Sequence, residues 1–335
     1  MPPPTRIVML GTGDFALPTF ENLCGTGHHV VSLITQPDRP QGRKQELIPS
    51  RIKLSAQSRG VPVFQPEDVN AADALAAVRA LAPDLLVTAA YGQILSPDLL
   101  AVPRLGGINL HGSVLPAYRG AAPVARAIER GETSSGVTVI RMSPRIDAGG
   151  MIRVATTPIG PDETAGDLED RLALLGAPLV ADAVAALEAG TAEILPQARS
   201  RVTKAPKLRK ADGLIDWTRP ARDVHNLVRA MQPWPAAYTY LAGPRWREAD
   251  PLRVIVHKSA RAESDPDRAQ AQAQAPGAVV EADGDRLVVA AGEGAIRLLS
   301  VQIPGKTAMS AADFVRGYAS ILLGHSFRNV PPAAP

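Results

Sequence analysis

Hydrophobic residues in the first 190 positions recur in two alternating patterns. Short apolar runs at Arg6–Gly11, His29–Gln36, Val61–Phe64, Asp84–Ala90, Gly107–His111, Val137–Met142 and Met151–Thr157 have the length and composition of strands. Between them, apolar positions at helical spacing predict helices over Phe15–Cys24, Ser50–Arg59, Ala71–Leu81, Ala121–Arg130 and Leu168–Ala189. The stretch Asp38–Lys53 is polar and rich in Pro, Gly and Arg, which predicts a loop. Strands alternating with helices imply an α/β domain with a Rossmann-like, mainly parallel sheet and helices on both faces.

Past residue 211 the pattern changes. Gly213–Trp217, Ala237–Tyr240, Leu252–His257, Gly277–Ala282, Arg286–Ala290 and Ile296–Ile303 are short strand-like runs, with one helix, Ala221–Met231, among them. Such runs predict a small OB-like β-barrel. Arg261–Pro276 is of low complexity and reads as a loop of that barrel. Trp217 and Trp234 could stack on nucleic-acid bases, but they sit beside strand-like residues and are assigned to its core. The expected domains are residues 1–190 and 212–330, joined by residues 191–211.

The net charge of +3 on 335 residues is modest, but its placement is informative. Arg199, Arg201, Lys204, Lys207, Arg209 and Lys210 all fall within Ile194–Ala211, which holds no acidic residue, whereas residues 1–194 carry no positive excess. A run of this kind is either a solvated linker or a contact for a phosphate backbone. No apolar run reaches membrane-spanning length, so a protein without membrane association is expected. The N-terminus enters the first strand without an apolar leader, which points to the cytoplasm. Cys24 is the only cysteine, which excludes an internal disulfide and a cysteine-based zinc cluster. No apolar stripe demands a partner, so a monomer is expected.

Candidate chemistry concentrates in Gly107-Ile-Asn109-Leu-His111-Gly-Ser113-Val-Leu-Pro116-Ala-Tyr-Arg-Gly120 and in Ile146-Asp147-Ala-Gly-Gly150. Asn109 and His111 are two apart at a strand end, so their side chains share a face. An amide donor beside an imidazole can hold a developing oxyanion while the imidazole moves a proton. A carboxylate from a separate loop, Asp147, can orient that imidazole and stabilise its protonated form. No serine or cysteine nucleophile is poised and no metal-ligand cluster is visible. The combination suggests direct transfer of an acyl-type group to an incoming nucleophile.

Gly11-Thr-Gly13-Asp-Phe-Ala16 also fits a dinucleotide-binding fingerprint. That fingerprint expects an acid at the end of the second strand to hold a ribose. Thr35 and Gln36 stand there instead, and Asp38 comes later in a Pro-rich loop. The turn is therefore expected only to pack its helix on the sheet and to form a lip of the cleft.

These residues resemble a known family. Asn109-Leu-His111-Gly-Ser113 with Asp147 is similar to the catalytic set of formyltetrahydrofolate-using formyltransferases, and Ser113 through Pro123 resembles the methionyl-tRNA formyltransferases in particular. Thr35-Gln-Pro-Asp-Arg39-Pro-Gln-Gly-Arg43 resembles the loop that this family presses on the acceptor stem. Ala205-Pro-Lys-Leu208, Ile215-Asp-Trp217, Gln232-Pro-Trp-Pro-Ala236 and Pro304-Gly-Lys-Thr-Ala-Met-Ser310 fit the same family in order. Gly13 and the sequence Lys44-Gln-Glu-Leu47 depart from its pattern.

The resemblance implies 10-formyltetrahydrofolate as formyl donor, without metal, and the α-amino group of initiator methionyl-tRNA as acceptor. It implies that Asn109, His111 and Asp147 are catalytic. The folate is then expected in a groove formed by Leu86, Tyr91, Gly92 and Arg141, with Ser113, Val114, Leu115 and Pro116 against its ring. Contacts to the tRNA are expected from Arg39, Arg43, Lys44, Arg199, Arg201, Lys204, Lys207 and Lys306. Every catalytic candidate precedes residue 190, so a fragment ending near Ala189 is expected to fold and keep its folate site. A formyltransferase for a small amine, a folate hydrolase and a non-catalytic RNA-binding protein are the alternatives. The first two leave the basic run and second domain without a purpose, and the third leaves the Asn-His-Asp set unused.

Overall fold

The computed structural model describes residues 4–41, 46–242, 251–262, 273–322 and 325–328. The elements up to residue 188 are β1 (Arg6–Gly11), α1 (Leu17–Cys24), β2 (His29–Ile34), β3 (Pro40–Gln41), β4 (Glu46–Leu47), α2 (Arg51–Ser58), β5 (Val63–Phe64) and α3 (Ala72–Ala80). They continue with β6 (Leu85–Ala89), α4 (Pro97–Leu100), β7 (Gly107–His111), α5 (Pro123–Glu129), β8 (Ser134–Arg141), β9 (Met151–Pro158) and α6 (Ala165–Glu188). By contacts the chain forms two compact units. One holds the residues up to Pro123 with Ser134–Pro158 and Leu168–Pro206; the other holds Val124–Thr133, Ile159–Asp167 and the residues from Lys207 onward.

The first unit is built on a sheet ordered β5-β2-β1-β6-β7-β8-β9. Pairs from β5 to β7 are parallel, and β7-β8 and β8-β9 are antiparallel, so the sheet is mainly parallel. Strands β1, β2 and β6 are buried along almost their whole length, as runs rich in Val, Leu and Ile require of strands covered on both faces. Strand β9 alternates half-buried and exposed positions, the mark of a half-solvated strand.

Local chemistry explains the helix starts. Ser50 Oγ accepts from Lys53 N–H to begin α2, and Ser96 Oγ accepts from Leu99 N–H to begin α4, ahead of Pro97 in the first turn. The expected loop Asp38–Lys53 contains the two-residue ladder β3-β4, in which Pro40 faces Leu47. Arg43 and Lys44 lie outside the described residues.

The second unit contains α7 (Ala221–Ala230), β10 (Ala237–Ala242), β11 (Leu252–Arg261), β12 (Val279–Asp283), β13 (Arg286–Ala290), β14 (Ala295–Gln302), β15 (Met309–Ser310), α8 (Ala311–Leu322) and β16 (Ser326–Arg328). Its antiparallel sheet runs β12-β13-β14-β11-β10-β16. A bridge between Ala278 and Ser326 joins the two ends, so the sheet is a nearly closed barrel. Closure removes the exposed edges an open sheet would leave.

Three details correct the sequence expectations. Gly213–Trp217 is not a strand: Lys210–Gly213 is a 3-10 turn, and only Leu214 bridges to Tyr238. Trp217 is core, stacked on Phe327, but Trp234 lies in the turn before β10 and is 50% exposed. Helix α8 was not expected, although Ser310 and Asp313 form a capping pair ahead of an apolar stripe through the buried Phe314, Val315 and Leu322.

The segments Val124–Thr133 and Ile159–Asp167 join this unit by polar contacts. Arg229 Nη1 donates to the carbonyls of Gly160 and Glu163, both at 3.2 Å, and Arg126 pairs with Asp212. His225 Nε2 donates to the Pro161 carbonyl at 3.2 Å. Desolvation lowers the pKa of both His225 and Arg229.

Candidate active site

The carboxyl ends of β1, β6 and β7 lie side by side, because Gly11 pairs with Ala89 and Ala89 with Leu110. Asn109 and His111 alternate along β7 and project to one face at that end, where open α/β sheets build their sites. Thr88 on β6 is buried and donates its hydroxyl to Asn109 Oδ1 at 2.7 Å. Engaging the amide oxygen leaves the Nδ2 hydrogens for another acceptor.

His111 is 6% exposed. Its Nε2 lies 2.9 Å from the Tyr118 carbonyl oxygen. A carbonyl only accepts, so Nε2 carries hydrogen and is committed to the backbone. The other ring nitrogen, Nδ1, lies 3.7 Å from Asp147 Oδ2. That spacing is long for a direct hydrogen bond but suits an ion pair or a bridging water. Asp147 Oδ2 also accepts from Gly120 N–H at 2.9 Å. One short loop thus holds both groups, the imidazole by the Tyr118 carbonyl and the carboxylate by the Gly120 amide.

Residues 195–205 strap that loop in place. Tyr118 N–H donates to Thr203 Oγ1 at 2.8 Å, Arg119 N–H to the Thr203 carbonyl at 2.9 Å, and Ala205 N–H to the Arg119 carbonyl at 2.7 Å. Leu195 exchanges both backbone bonds with Met151, at 2.8 and 2.9 Å. Gly120 packs so tightly that a Cβ there would stand 2.5 Å from the Ala205 carbonyl oxygen. A fragment ending near Ala189 would lack this strap and its bonds to the Tyr118–Gly120 loop. Thr88 and the strap residues Leu195, Gln197 and Thr203 lie in no motif, whereas Tyr118, Gly120 and Ala205 fall within the motifs quoted above without a role that those motifs assign. Only the proximity of Tyr118 and Gly120 to His111 in sequence hints at their part.

The other candidates fall into separate groups. Leu86 is fully buried among Val8, Leu10 and Leu99, and Tyr91 belongs to the same cluster, so neither presents a surface to a ligand. Burial pushes the Tyr91 phenol up to about 12, and its hydroxyl has no hydrogen-bond partner. Ser113 spends its hydroxyl on the Ala117 carbonyl at 2.7 Å, and Leu115 is buried. Val114 and Pro116 are partly exposed and Gly92 is exposed. Arg141 lies beside Gly106, with Nη1 buried and unpartnered.

Of the cations, Arg39 is on the surface and paired with Glu67 at 2.8 Å. Arg199 and Arg201 are exposed on a 3-10 turn, and Lys204, Lys207 and Lys306 are exposed in their own units. At the glycine turn, Gln36 N–H donates to Thr12 Oγ1 and Gln36 Nε2 to the Tyr91 carbonyl, both at 3.1 Å, tying the turn to β6. Asp38 is paired with Lys53, which holds its carboxyl below the usual range. Among the described residues no group of three or more His, Cys, Asp or Glu side chains could hold a metal, and no helix is long and apolar enough to cross a membrane.

The formyl transferase family model matches residues 5–184, and the model of the formyl transferase C-terminal domain matches residues 207–319. A sugar 3N-formyl transferase, solved in the presence of dTDP and 5-N-formyl-THF, shares the fold with a TM-score of 0.61 and 17% identity, over 90% of this chain and 99% of its own. Fold and site together are those of a formyltransferase. The methionyl-tRNA formyltransferase of Pseudomonas fluorescens is 45% identical over 313 residues, 93% of this chain and 94% of that protein. The enzyme of the same name from Geobacter metallireducens is 40% identical over 322 residues, 95% and 98% of the two chains. This chain belongs to the methionyl-tRNA formyltransferase family.

Proposed function

We propose that this chain transfers the formyl group of 10-formyltetrahydrofolate to the α-amino group of initiator methionyl-tRNA, giving N-formylmethionyl-tRNA for translation initiation. It acts as a cytoplasmic monomer, and Asn109, His111 and Asp147 carry the chemistry. The observation that most supports this is the division of hydrogen bonds. Thr88 occupies Asn109 Oδ1 and the Tyr118 carbonyl occupies His111 Nε2, which leaves Asn109 Nδ2 and His111 Nδ1 for a reacting group.

As the amine attacks the formyl carbon, negative charge grows on the formyl oxygen. Asn109 Nδ2 donates to it, and protonated His111 adds charge stabilisation. Nδ1 then delivers its proton to the folate nitrogen as the bond from that nitrogen to the formyl carbon breaks, directly or through a water shared with Asp147, and takes up in exchange the proton that the attacking nitrogen sheds on becoming an amide. Asp147, 3.7 Å away, stabilises the imidazolium while it lasts. With these donors in place the step needs no metal. The residues present suit the donor: Arg141 Nη1 is buried without a partner in the protein, and Val114 and Pro116 keep apolar surface exposed. Arg39, Arg43, Lys44, Arg199, Arg201, Lys204, Lys207 and Lys306 contact the phosphates of the tRNA.

Formyl transfer from the folate to charged initiator and elongator methionine tRNAs tests the reading. Efficient transfer to the initiator supports it, and folate hydrolysis without tRNA formylation overturns it. Removing one oxyanion donor, as in Asn109→Ala, is expected to lower turnover about 10²–10³-fold. His111→Ala and Asp147→Ala should lower it by orders of magnitude, with losses that do not add. Full activity in any one variant removes that residue from the mechanism.

A further inference from the structure

The side chain of Gln197 is completely committed. Its Nε2 donates to the Asp147 carbonyl at 2.8 Å and the Gly149 carbonyl at 2.7 Å. Its Oε1 accepts from Arg119 Nε at 3.0 Å and Arg119 Nη2 at 2.6 Å. A primary amide has two hydrogens to give and two lone pairs to fill, so all its capacity is used. The orientation cannot be inverted, because carbonyls only accept and a guanidinium only donates.

What this amide holds is a strained piece of chain. Asp147 sits at φ +48, in the left-handed region. A non-glycine residue there is strained and persists only where its surroundings over-determine it. Gly149 lies against β8 so closely that a Cβ would stand 1.6 Å from the Arg141 carbonyl oxygen. Gln197 grips Asp147 and Gly149, and Arg119 adjoins Tyr118 and Gly120, which hold His111 and Asp147 from the other side.

We propose that Gln197, locked by Arg119, is a positioning residue for formyl transfer. It pins the backbone at and beyond Asp147 so that the carboxylate stays at its station beside His111 Nδ1. The inference rests on the assignment of Asp147 to the chemistry made under Proposed function. A displacement near 1 Å at a reacting group can cost about 10²-fold in rate, so the effect is measurable.

Gln197→Glu keeps the shape and the hold on Arg119 but removes both donors and turns carboxylate oxygens toward two carbonyls. If the residue served only to anchor Arg119 to the strap, this variant would work as well as the original. It is expected instead to lower kcat about 10- to 100-fold, as is Gln197→Ala, with the KM for the formyl donor unchanged. Wild-type kcat in Gln197→Glu overturns the proposal. Arg119→Ala, which leaves the carbonyl bonds but frees the amide to turn, is expected to lower kcat in the same way and serves if the glutamate variant does not fold; wild-type kcat overturns here too.

On an Asp147→Asn background, single-turnover transfer should lose nothing further from Gln197→Ala, because the residue acts through Asp147. A further loss as large as in the wild type overturns the proposal while leaving Asp147 in the mechanism. Full turnover in Asp147→Asn alone overturns the reading of Asp147 first, and the positioning role with it.

Discussion

Gly120→Ala probes how tightly the strap is coupled to the active site. The glycine has φ +123, and an added Cβ would stand 2.5 Å from the Ala205 carbonyl oxygen. Restoring ordinary contact near 3.4 Å means moving that carbonyl by roughly 0.9 Å. The carbonyl accepts from Ala122 N–H at 3.3 Å, so the strap must shift as well. Backbone strain of about 1–3 kcal/mol and loss of a hydrogen bond to a carboxylate of about 1.5–3 kcal/mol put the penalty at roughly 2.5–6 kcal/mol. For a unit of this size about 2–4 °C of melting temperature is lost per kcal/mol, so Tm should fall by roughly 5–24 °C. Turnover should fall even at temperatures where the variant is folded, because Gly120 N–H is a partner of Asp147 Oδ2. The assays are calorimetry of the full chain and single-turnover transfer well below the transition. Gly27→Ala, where nothing lies within 4 Å of the added Cβ, is the control and should change neither. A Gly120→Ala enzyme with wild-type Tm and turnover would refute the argument.

Other outcomes follow from the same geometry. Burial lowers the His225 imidazole below its ordinary 6.5, so the unfolded chain takes up the proton at higher pH than the folded one. Stability should therefore rise with pH through that window and be lost as the pH falls below about 6.5, less steeply in His225→Gln. Equal slopes in thermal melts of the two proteins between acid and neutral pH would refute it. Arg199 and Arg201 are exposed, so replacing both with alanine should spare folding, raise the KM for charged tRNA but not for folate, and flatten the salt dependence. Equal changes in both KM values count against an RNA contact there. A chain cut after Ala189 should lose formyl transfer even to a small amine, because Leu195, Gln197, Thr203 and Ala205 are gone; wild-type turnover of the formyl donor would show the strap to be dispensable.

Much of the fold was legible because it depends on neighbours in sequence. Apolar runs at β1, β2 and β6 need cover on both faces, and a chain that alternates such runs with amphipathic helices has few ways to provide it. Strand Gly213–Trp217 was misread because apolar side chains there bury against the barrel without a ladder of their own. Helix α8 carries its capping pair Ser310 and Asp313 in the sequence, but its apolar stripe is short and is fixed by burial of Phe314, Val315 and Leu322. The segments Val124–Thr133 and Ile159–Asp167 bear no mark of the unit they join.

The sequence by itself determined which groups could do the chemistry. Two-residue spacing on a strand puts Asn109 and His111 on one face whatever surrounds them. Only the tertiary structure decided how those groups are oriented. Which amide atom of Asn109 is left free depends on Thr88 on the next strand, and which imidazole nitrogen is left depends on a backbone carbonyl. The station of Asp147 depends on Gly120 and on the amide of Gln197, fifty positions further along the chain. The physical reason is that periodicity is a local property of the backbone. A hydrogen-bond partner is chosen by whichever group packing brings within about 3 Å, and sequence separation does not constrain that choice.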